Sequence, residues 1–306
     1  MRKIATIAVA ASLAIASMPA LSAGNNDASQ KANHRAGLNC EQPDRRGNPG
    51  ALWVVGLTED MQLVCFNENR PGNARSIGVI SGLMRGDMLV GIDYRVQDGK
   101  LYGVSMTGGV YLLDLRSAMA TKVSQLSIEL EGRSFGVDFN PAADRLRIVS
   151  DTGQNLRHNV NTGGTTLVDD PLDYPPPMPL NAVGAPAMGI TASAYTNNDL
   201  SATTATTLYA LDTAMDQIAL QSPPNDGTLA ATGKLGIDAG AAVGFDIHST
   251  IRSGAATNPH ALASVYAAGA MNSLYSISLP SGKATLRGSF PQQYRVVGIA
   301  IPLDQL

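Results

Sequence analysis

Short runs of aliphatic, aromatic and β-branched residues alternate along the chain with turns rich in Gly, Asp, Asn and Thr. Such runs are typical of short β-strands, because branched and aromatic side chains pack well on a pleated surface. The runs come in groups of four, and an offset of 45 residues places one group on the next without a gap: Gly91-Ile92-Asp93 falls on Gly136-Val137-Asp138, and Thr107-Gly108 falls on Thr152-Gly153. The repeating unit is therefore predicted to be a four-stranded antiparallel meander of about 45 residues.

Four such units can be followed along the chain. The first is predicted to have strands at 89–95, 101–105, 109–114 and 120–126, and the second at 134–139, 145–150, 155–160 and 165–168. The third and fourth are degenerate, and their strands are predicted to begin at Ala194, Thr207, Gln217 and Thr228 and at Val243, Val265, Leu274 and Ala284. Two insertions break the period. Asp169 to Met188 contains six prolines and is predicted to be irregular, and His248 to His260 is predicted to be a polar loop.

The two ends of the repeat region complement each other. Val296 to Ile301 resembles the first strand of a unit, whereas the stretch that begins at Ala51 supplies the other three strands. A fragment completed by the opposite end of the chain is what a closed ring of sheets needs, since closure hides the sheet edges. We therefore predict an all-β fold: a five-bladed β-propeller of four-stranded antiparallel blades, forming a single domain over residues 51–306. An open solenoid, which needs polar capping repeats, and two separate β-sandwiches are the alternatives.

The first 23 residues have the pattern of a secretory signal peptide. Basic Arg2 and Lys3 precede an Ala-rich apolar run, which ends in small residues suited to cleavage after Ala23. A membrane anchor is the alternative, although the apolar core is short for a span of about 20 residues and no later run approaches that length. Residues 24–50 are predicted to be a polar tail. We expect the mature chain to be exported to the periplasm or the outside medium, without a membrane span.

The composition and charge exclude several classes of protein. With 44% hydrophobic and 15% charged residues, the chain differs from disordered and coiled-coil proteins, and the sparse charge argues against a helical bundle. Cleavage after Ala23 removes two of the 22 basic residues and leaves 20 against 25 acidic ones, a net charge of −5. No basic run is long enough to bind nucleic acid. We expect the protein to be a monomer.

Cys40 and Cys65 are the two cysteines of the chain. In an exported protein such a pair is predicted to form one disulfide, which here would attach the polar tail to the first strands. Two buried free thiols are an alternative. A metal pair is disfavoured because no histidine lies nearby in a spacing that metal sites use.

One string of residues resembles a known family. Phe135 to Pro141 and Asp144 to Arg157 are similar to a family of secreted bacterial proteins catalogued as domain of unknown function 4394, and Ala194 to Asn198 and Val243 to Asp246 resemble the same family. The resemblance covers about residues 50–301. It implies export and a propeller-like repeat architecture, and it implies no particular activity.

The Asp of the repeated Gly-hydrophobic-Asp motif is the first candidate for chemistry. Asp93, Asp138 and Asp246 fall in the innermost strand of three blades, so that their carboxylates can converge on the axial channel. They could bind a hard cation such as Ca²⁺, which prefers oxygen ligands, or act as general acid and base. The alternative is structural, with each Asp accepting hydrogen bonds from a turn of its own blade. Near this register blade three offers Thr191 or Ser193, and blade five offers Ala300.

Blade two departs from the other units at three positions. Arg147 stands where other blades have tyrosine, and Arg157 and His158 stand where blade one has leucine. A guanidinium among strands must be paired, and Asp138 and Asp144 are predicted to be within reach. Alternatively, the arginines build a pocket for an anion or a carbohydrate, since a fork of Arg donors suits carboxylate or phosphate. The predicted lining of that pocket is Arg147, Ser150, Gln154, Asn155 and Arg157.

Tyr195 and Asn197 could present polar groups at the channel mouth, with an Asx-rich turn as the alternative. No serine-hydrolase elbow, P-loop, dinucleotide fingerprint or zinc-protease motif occurs in the sequence. The favoured function is therefore a non-catalytic scaffold that binds a small ligand, glycan or protein at one end of the channel, without a cofactor unless Ca²⁺ is bound. A secreted glycoside or ester hydrolase using the channel carboxylates, and an envelope protein that assembles through blade edges, are the alternatives.

Overall fold

Five four-stranded sheets and one short two-stranded ribbon make up the computed structural model, which describes residues 40, 51–175, 184–197, 199–201, 204–253, 255–267, 269–303 and 305. The sheets are arranged as the blades of a propeller. The predicted signal peptide and, apart from Cys40, the predicted tail lie outside the described residues. No helix in the described part of the chain is long and apolar enough to cross a membrane.

Three strands of the closing blade, blade five, come first in the chain. They are β1 (Trp53–Thr58), β2 (Gln62–Asn67) and β3 (Arg70–Val79). Blades one and two follow, and their strands agree with the predicted bounds to within two residues. Blade one has β4 (Leu89–Arg95), β5 (Lys100–Ser105), β6 (Gly109–Asp114) and β7 (Met119–Gln125). Blade two has β8 (Phe135–Asn140), β9 (Arg145–Ser150), β10 (Asn155–His158) and β11 (Thr166–Val168).

The proline-rich insertion separates blade two from the rest of the ring. Its described part contains a ribbon of β12 (Asp173–Tyr174) and β13 (Ala185–Pro186). Blade three has β14 (Ile190–Tyr195), β15 (Leu208–Asp212), β16 (Gln217–Gln221) and β17 (Leu229–Lys234). Blade four has β18 (Ala239–Arg252), β19 (Ala255–Ala267), β20 (Asn272–Ile277) and β21 (Ala284–Ser289), and the last strand is β22 (Val296–Ala300).

The prediction of a polar loop from His248 to His260 is wrong. Strands β18 and β19 continue through this region as one long hairpin, in which His248 lies directly opposite His260. Polar side chains here find partners outside the hairpin's own blade: the Ser249 hydroxyl donates to the Thr196 carbonyl, and the Asp199 carboxylate accepts a backbone N–H of β19. Polar groups with such partners are compatible with buried strands, so polarity alone does not mark a loop.

The ring closes as predicted. Strand β22 pairs antiparallel with β1, with Ala300 opposite Val55 and Ile299 opposite Gly56, so that blade five has the order β22-β1-β2-β3. Strand β22 also contacts β18 on one side and β4 on the other. The five inner strands β4, β8, β14, β18 and β22 therefore surround the axis, and the inner edge of blade five is paired rather than open.

Glycine stands two positions before each axial Asp, where the next inner strand approaches closely. At Gly91 the neighbour is the side chain of Val137, and at Gly136 and Gly244 it is the backbone of the next strand. A Cβ atom on Gly136 would lie 2.4 Å from the backbone nitrogen of Ser193, and a Cβ atom on Gly244 would lie 2.6 Å from the backbone of Gly298. A larger residue at either position would push the inner strands apart. The Gly-hydrophobic-Asp motif therefore specifies a narrow axis.

Apolar side chains fill the layers between adjacent blades. Leu57 of blade five and Ile92 of blade one belong to one such layer, and Tyr102 and Phe139 join blades one and two, with their ring centroids 5.3 Å apart. The predicted disulfide is confirmed, since Cys40 and Cys65 are bonded with their Cα atoms 6.0 Å apart. It attaches residue 40 to strand β2.

Candidate functional site

The three repeated aspartates meet on the propeller axis. Asp93 lies in β4, Asp138 in β8 and Asp246 in β18, and all three side chains are buried. One carboxylate oxygen from each lies within 4.8 Å of the corresponding oxygens of the other two. The inner strands thus bring together residues that are far apart in the sequence, and this convergence is the feature that the repeat predicted.

Each of these carboxylates also connects its own blade to the next one. Asp93 Oδ2 accepts the backbone N–H of Phe139 at 2.7 Å, and Asp138 Oδ1 accepts the N–H of Tyr195 at 3.1 Å. Asp246 Oδ2 likewise accepts the N–H of the residue after β22 at 2.6 Å. The structural alternative placed the donors in a turn of the same blade. Asp246 Oδ1 does accept the N–H of Ile247 in its own strand at 2.6 Å, whereas the three bonds described above cross to the next blade. The bonds run from one blade to its neighbour around the ring.

Blades three and five carry alanine at the axial position. Ala194 directly precedes Tyr195, as Asp138 directly precedes Phe139, so Ala194 is the equivalent of the aspartates. The prediction of Thr191 or Ser193 at this register is wrong, because the backbone positions of blade three are offset from the assumed alignment. Ala300 occupies the position in blade five, as the repeat predicted.

Burial and mutual repulsion raise the pKa of the axial carboxyls. The pKa of Asp93 lies well above its usual range because of desolvation and then the charge of Asp246. The pKa of Asp138 is raised in the same way, by desolvation and then by the charges of Asp93 and Asp246. Desolvation raises the pKa of Asp246 to about 7. The opposing influences come from backbone N–H donors rather than from basic side chains.

A small axial cavity of about 20 Å³ lies next to the cluster, on the side where the inner strands begin. Its lining includes the residues directly before each Asp, namely Ile92, Val137 and Phe245. At the equivalent position blade three has Ser193, whose hydroxyl is buried and has no hydrogen-bond partner among the described residues. A cavity of this size has room for a water molecule or an ion and none for a sugar ring.

A second buried charge lies at the opposite ends of the inner strands, between blades two and three. Arg147 of β9 is 3% exposed, and its Nη1 donates to Asp169 Oδ2 at 2.6 Å and to Asn155 Oδ1 at 2.6 Å. Its Nη2 donates to Asn225 Oδ1 at 2.8 Å, and its Nε lies 3.4 Å from the Tyr195 hydroxyl. The guanidinium is therefore held in one orientation from several sides.

Arg147 lines a pocket of about 270 Å³ together with two further arginines, Arg145 and Arg157. The Nε of Arg157 donates to both carboxylate oxygens of Asp169, at 2.8 and 2.9 Å, whereas Arg145 donates to backbone carbonyls. Within the described residues, Asp169 is the carboxylate that pairs with these arginines. The pocket therefore carries an excess of positive charge. Its other lining residues are Asn140, Ala143, Tyr195, Thr206, Pro224 and Asn225.

Two of the five residues predicted to line the pocket, Arg147 and Arg157, do so. Asn155 lies behind them, where its Oδ1 accepts from Arg147 and its Nδ2 donates to two backbone carbonyls. Ser150 bonds within its own turn, and Gln154 bonds the backbone of the segment before β8. The segment from Arg147 to Arg157 was predicted to line one pocket. Its residues instead lie in the pocket, behind it, and in a turn on the side of blade two where β8 begins.

The predicted ionic partners of Arg147 are wrong. Asp138 faces the axis, and the Oδ1 of Asp144 accepts from Arg95 Nε at 2.7 Å. That pairing lowers the pKa of Asp144 below its usual range. The partner that the sequence reasoning missed is Asp169, at the start of the proline-rich insertion. The sequence did contain a signal for this pairing: Asp169 stands at the start of an insertion and follows closely after Arg147 and Arg157, which break the repeat.

Tyr195 belongs to both regions. Its N–H donates to Asp138, and its hydroxyl lines the arginine pocket. Asn197 is buried, and its Oδ1 accepts the N–H of Asp199 at 2.7 Å, in the manner of the Asx-turn alternative. The Nδ2 of Asn197 has no hydrogen-bond partner in the part of the chain that the structure describes.

His158, the third unusual residue of blade two, is not part of the pocket. It is buried, and its ring nitrogens lie 2.7 Å from the Ser124 hydroxyl and 3.0 Å from the Thr166 hydroxyl. Burial lowers its pKa below the usual value. The contact with Ser124 joins blade two to blade one, and the contact with Thr166 lies within blade two, so both are structural.

The sequence profile of the family described as Domain of unknown function (DUF4394) matches residues 62–300. The chain belongs to this family. None of the curated proteins matches this DUF4394 chain. The described residues of the family member form the propeller outlined above, which agrees with the architecture that the resemblance implied.

Several solved structures are similar to this DUF4394 chain. A chain of the nidogen/laminin complex aligns with a TM-score of 0.46 and 12% identity, covering 84% of this chain and 100% of that one. A protein of unknown function from Bacteroides thetaiotaomicron aligns with a TM-score of 0.44 and 13% identity, over 84% of this chain and 63% of that one. YCF48 bound to D1 peptide aligns with a TM-score of 0.34 and 10% identity, over 78% and 64%. At these values the alignments give no residue-level information on function.

Proposed function

We propose that this protein is an exported, non-catalytic propeller that binds a small anionic ligand between blades two and three. The observation that carries the proposal is the pocket of about 270 Å³ lined by Arg145, Arg147 and Arg157. Two of these guanidinium groups share one buried carboxylate, and the third has backbone carbonyl partners. Guanidinium groups that keep an excess of positive charge suit a carboxylate or phosphate ligand.

The remaining lining of the pocket indicates the chemistry of the ligand's neutral part. Asn140, Asn225, Thr206 and the Tyr195 hydroxyl supply hydrogen-bond donors and acceptors that carry no charge. Such groups suit hydroxyls better than apolar surface. A small molecule with one anionic group and several hydroxyls, such as an acidic sugar or a sugar phosphate, therefore fits the pocket best.

Arg147 is suited to orient this ligand because its own position is already fixed. Asp169, Asn155 and Asn225 hold its guanidinium, so that binding does not have to order the side chain. Arg157 is more accessible, with 32% of its side chain exposed. We expect Arg157 to make the more salt-sensitive contact and Arg147 the orienting one.

The hydrolase alternative receives less support from the geometry. Its carboxylates would be Asp93, Asp138 and Asp246, but the cavity beside them has a volume of about 20 Å³ and cannot admit a sugar ring. Each of these carboxylates already accepts a backbone N–H from the next blade. Export is supported by the signal-like sequence of the first 23 residues and by the Cys40–Cys65 disulfide, which is typical of oxidising compartments.

The proposal is tested by calorimetry of the purified protein with galacturonate and glucose 6-phosphate, and with galactose and glucose as neutral partners. We expect at least one anionic sugar to bind and its neutral counterpart to bind at least about tenfold more weakly. Added salt should weaken the binding, because Arg157 is partly exposed.

Arg157→Gln is the diagnostic variant, and Arg133→Gln is its control, because Arg133 is exposed and does not line the pocket. Arg157→Gln should lower the affinity for the anionic sugar roughly tenfold, whereas Arg133→Gln should leave it unchanged. Equal losses in both variants, or no binding of any anion by the wild-type protein, would overturn the proposal.

A further inference from the structure

The bonds between neighbouring blades do not explain why aspartate occupies the axial positions. Blades three and five carry Ala194 and Ala300 at the equivalent positions, and the ring closes there without a carboxylate. A side-chain acceptor is therefore not required for contact between inner strands. The three carboxylates that do meet on the axis need another reason to be buried side by side.

We propose that Asp93, Asp138 and Asp246 bind one Ca²⁺ ion on the propeller axis. One carboxylate oxygen of each residue lies within 4.8 Å of the corresponding oxygens of the other two. Three oxygens spaced evenly around a Ca²⁺ ion, each at about 2.3–2.6 Å from it, lie about 4.0–4.5 Å apart. The carboxylate oxygens are therefore close enough to share one ion without a rearrangement of the strands.

The charge of the cluster also calls for a cation. Three buried carboxylates face one another, and the groups that donate to them in the described chain are backbone N–H groups, including those of Phe139, Tyr195 and Ile301. A buried group of like charges is unfavourable unless a cation or protons neutralise it. One Ca²⁺ offsets two of the three charges.

The hydroxyl of Ser193 is an independent indication of a ligand at this place. It lines the axial cavity, its residue is 1% exposed, and it has no hydrogen-bond partner among the described residues. The equivalent residues of the other blades, such as Val137, are apolar. A buried hydroxyl without a partner is unfavourable, and the cavity of about 20 Å³, which is also lined by the residues directly before the three aspartates, has room for one polar ligand atom or water molecule that would satisfy it.

The donor set selects a hard cation. The cluster contains carboxylate oxygens and neither histidine nor cysteine, which disfavours zinc and softer metals. Mg²⁺ binds at about 2.0–2.1 Å in a rigid octahedral shell, in which three oxygens on one face lie only about 2.9 Å apart. Two of the inner strands that carry the carboxylates already pack against the backbone of the next strand, at Gly136 and Gly244, so these strands cannot close further. Ca²⁺ is therefore favoured over Mg²⁺.

The first experiment uses the purified protein, treated with a chelator and dialysed into metal-free buffer at pH 8. Calorimetry with CaCl₂ should give one site per chain, and 1 mM Ca²⁺ should raise the melting temperature by several degrees, since the ion binds the folded state alone. MgCl₂ should need roughly tenfold higher concentration for the same shift. Absence of binding heat and of a melting shift up to 10 mM Ca²⁺ would overturn the proposal.

Asp138→Asn tests the site itself, because asparagine keeps an oxygen that can accept the N–H of Tyr195 while removing the charge. This variant should lose at least about tenfold in Ca²⁺ affinity. Asp238→Asn is the matched control, since Asp238 is exposed and outside the cluster, and its affinity should equal that of the wild type. Equal losses in the two variants would contradict an axial site.

If Asp138→Asn does not fold, Asp246→Asn replaces it, because it removes a ligand from another blade. Elemental analysis of the wild-type protein after gel filtration in Ca²⁺-containing and Ca²⁺-free buffers gives a second readout that depends on no variant. Retention of one calcium per chain supports the site, and protein free of calcium after both treatments contradicts it.

Discussion

The axial cluster and the arginine pocket both bury charge, and they differ in how that charge is compensated. In the pocket, Arg147 faces Asp169 and two amide oxygens, so that a cation has a permanent counter-ion. On the axis, three carboxylates face one another, with backbone N–H groups as donors. The difference teaches that a buried charge with a built-in partner makes the fold sensitive to loss of that partner, whereas buried like charges without a cationic partner lower the stability of the fold.

Removal of Arg147 should have the largest effect on stability of the substitutions considered, because it removes the built-in counter-ion of Asp169. Arg147→Met leaves Asp169 buried with a single, partly exposed arginine partner. We expect the free energy of unfolding to fall by about 3–5 kcal/mol, as for other broken buried ion pairs. Urea unfolding at pH 7 measures this loss.

Arg145→Met is the control for this substitution. Arg145 lines the same pocket but donates to backbone carbonyls and is not fully buried, so its replacement should change the free energy of unfolding by less than about 1 kcal/mol. A similarly small loss for Arg147→Met would show that the Arg147–Asp169 pair does not stabilise the fold.

Neutralisation of an axial carboxylate should raise the free energy of unfolding, in contrast to the loss expected for Arg147→Met. At pH 8 and in chelator, Asp246→Asn should raise the free energy of unfolding by up to roughly 4 kcal/mol, because burial raises the pKa of Asp246 from 3.8 to about 7. Asparagine removes the unfavourable charge and keeps one oxygen for the N–H of Ile301, but it no longer accepts the N–H of Ile247 at the second position, which offsets part of the gain. Urea unfolding with and without Ca²⁺ measures the effect.

Saturating Ca²⁺ should reverse this order, with the wild type becoming more stable than Asp246→Asn. Asp238→Asn, which alters an exposed carboxylate, should leave the free energy of unfolding nearly unchanged in both buffers. Destabilisation of Asp246→Asn in chelator would contradict the view that the axial charge is uncompensated.

A smaller effect concerns His248, which lies two residues beyond Asp246 on the same strand and is buried as a neutral base. Burial lowers its pKa from 6.5 to about 4. The unfolded chain therefore binds a proton below pH 6.5, whereas the folded chain does so only near pH 4. Stability is fully present above pH 6.5 and falls by about 3 kcal/mol as the pH decreases to 4.

The comparison of wild type with His248→Gln isolates this contribution. The other titratable groups of the chain are present in both proteins, so their contributions largely cancel in the difference. Urea unfolding between pH 4 and 8 should give a steeper pH dependence for the wild type. Parallel curves would mean that the pKa of His248 is the same in the folded and unfolded states.

The periodicity of the sequence was sufficient to predict the ring, because each blade repeats a local pattern. The Gly-hydrophobic-Asp motif also predicted the axial cluster, since equivalent positions of inner strands must meet around an axis. The axial position of blade three was assigned to Thr191 or Ser193 instead of Ala194, because blade three has diverged from the motif. The long β18–β19 hairpin was missed because its polar residues, such as Ser249, are bonded to other segments.

The arginine pocket was only partly predictable. Arg147 and Arg157 stood out because they break the repeat, but their partners come from distant segments. Asp169 lies 22 residues from Arg147, and Asn225 lies 78 residues away in the 3-10 turn Pro224–Asp226. Contacts between turns of different blades leave no periodic signal, so the pairing could be read only from the folded chain.

Blade five joins strands from the two extremes of the described chain, and this arrangement sets an order of events during synthesis. Strands β1 to β3 are synthesised before the rest of the propeller. The edge of β1 that pairs with β22 has no partner until Val296–Ala300 has been made. The N–H that bonds Asp246 belongs to Ile301, directly after that strand. A polypeptide that ends before residue 296 would thus lack the strand that pairs with β1. It would also lack the backbone N–H that donates to Asp246 on the axis.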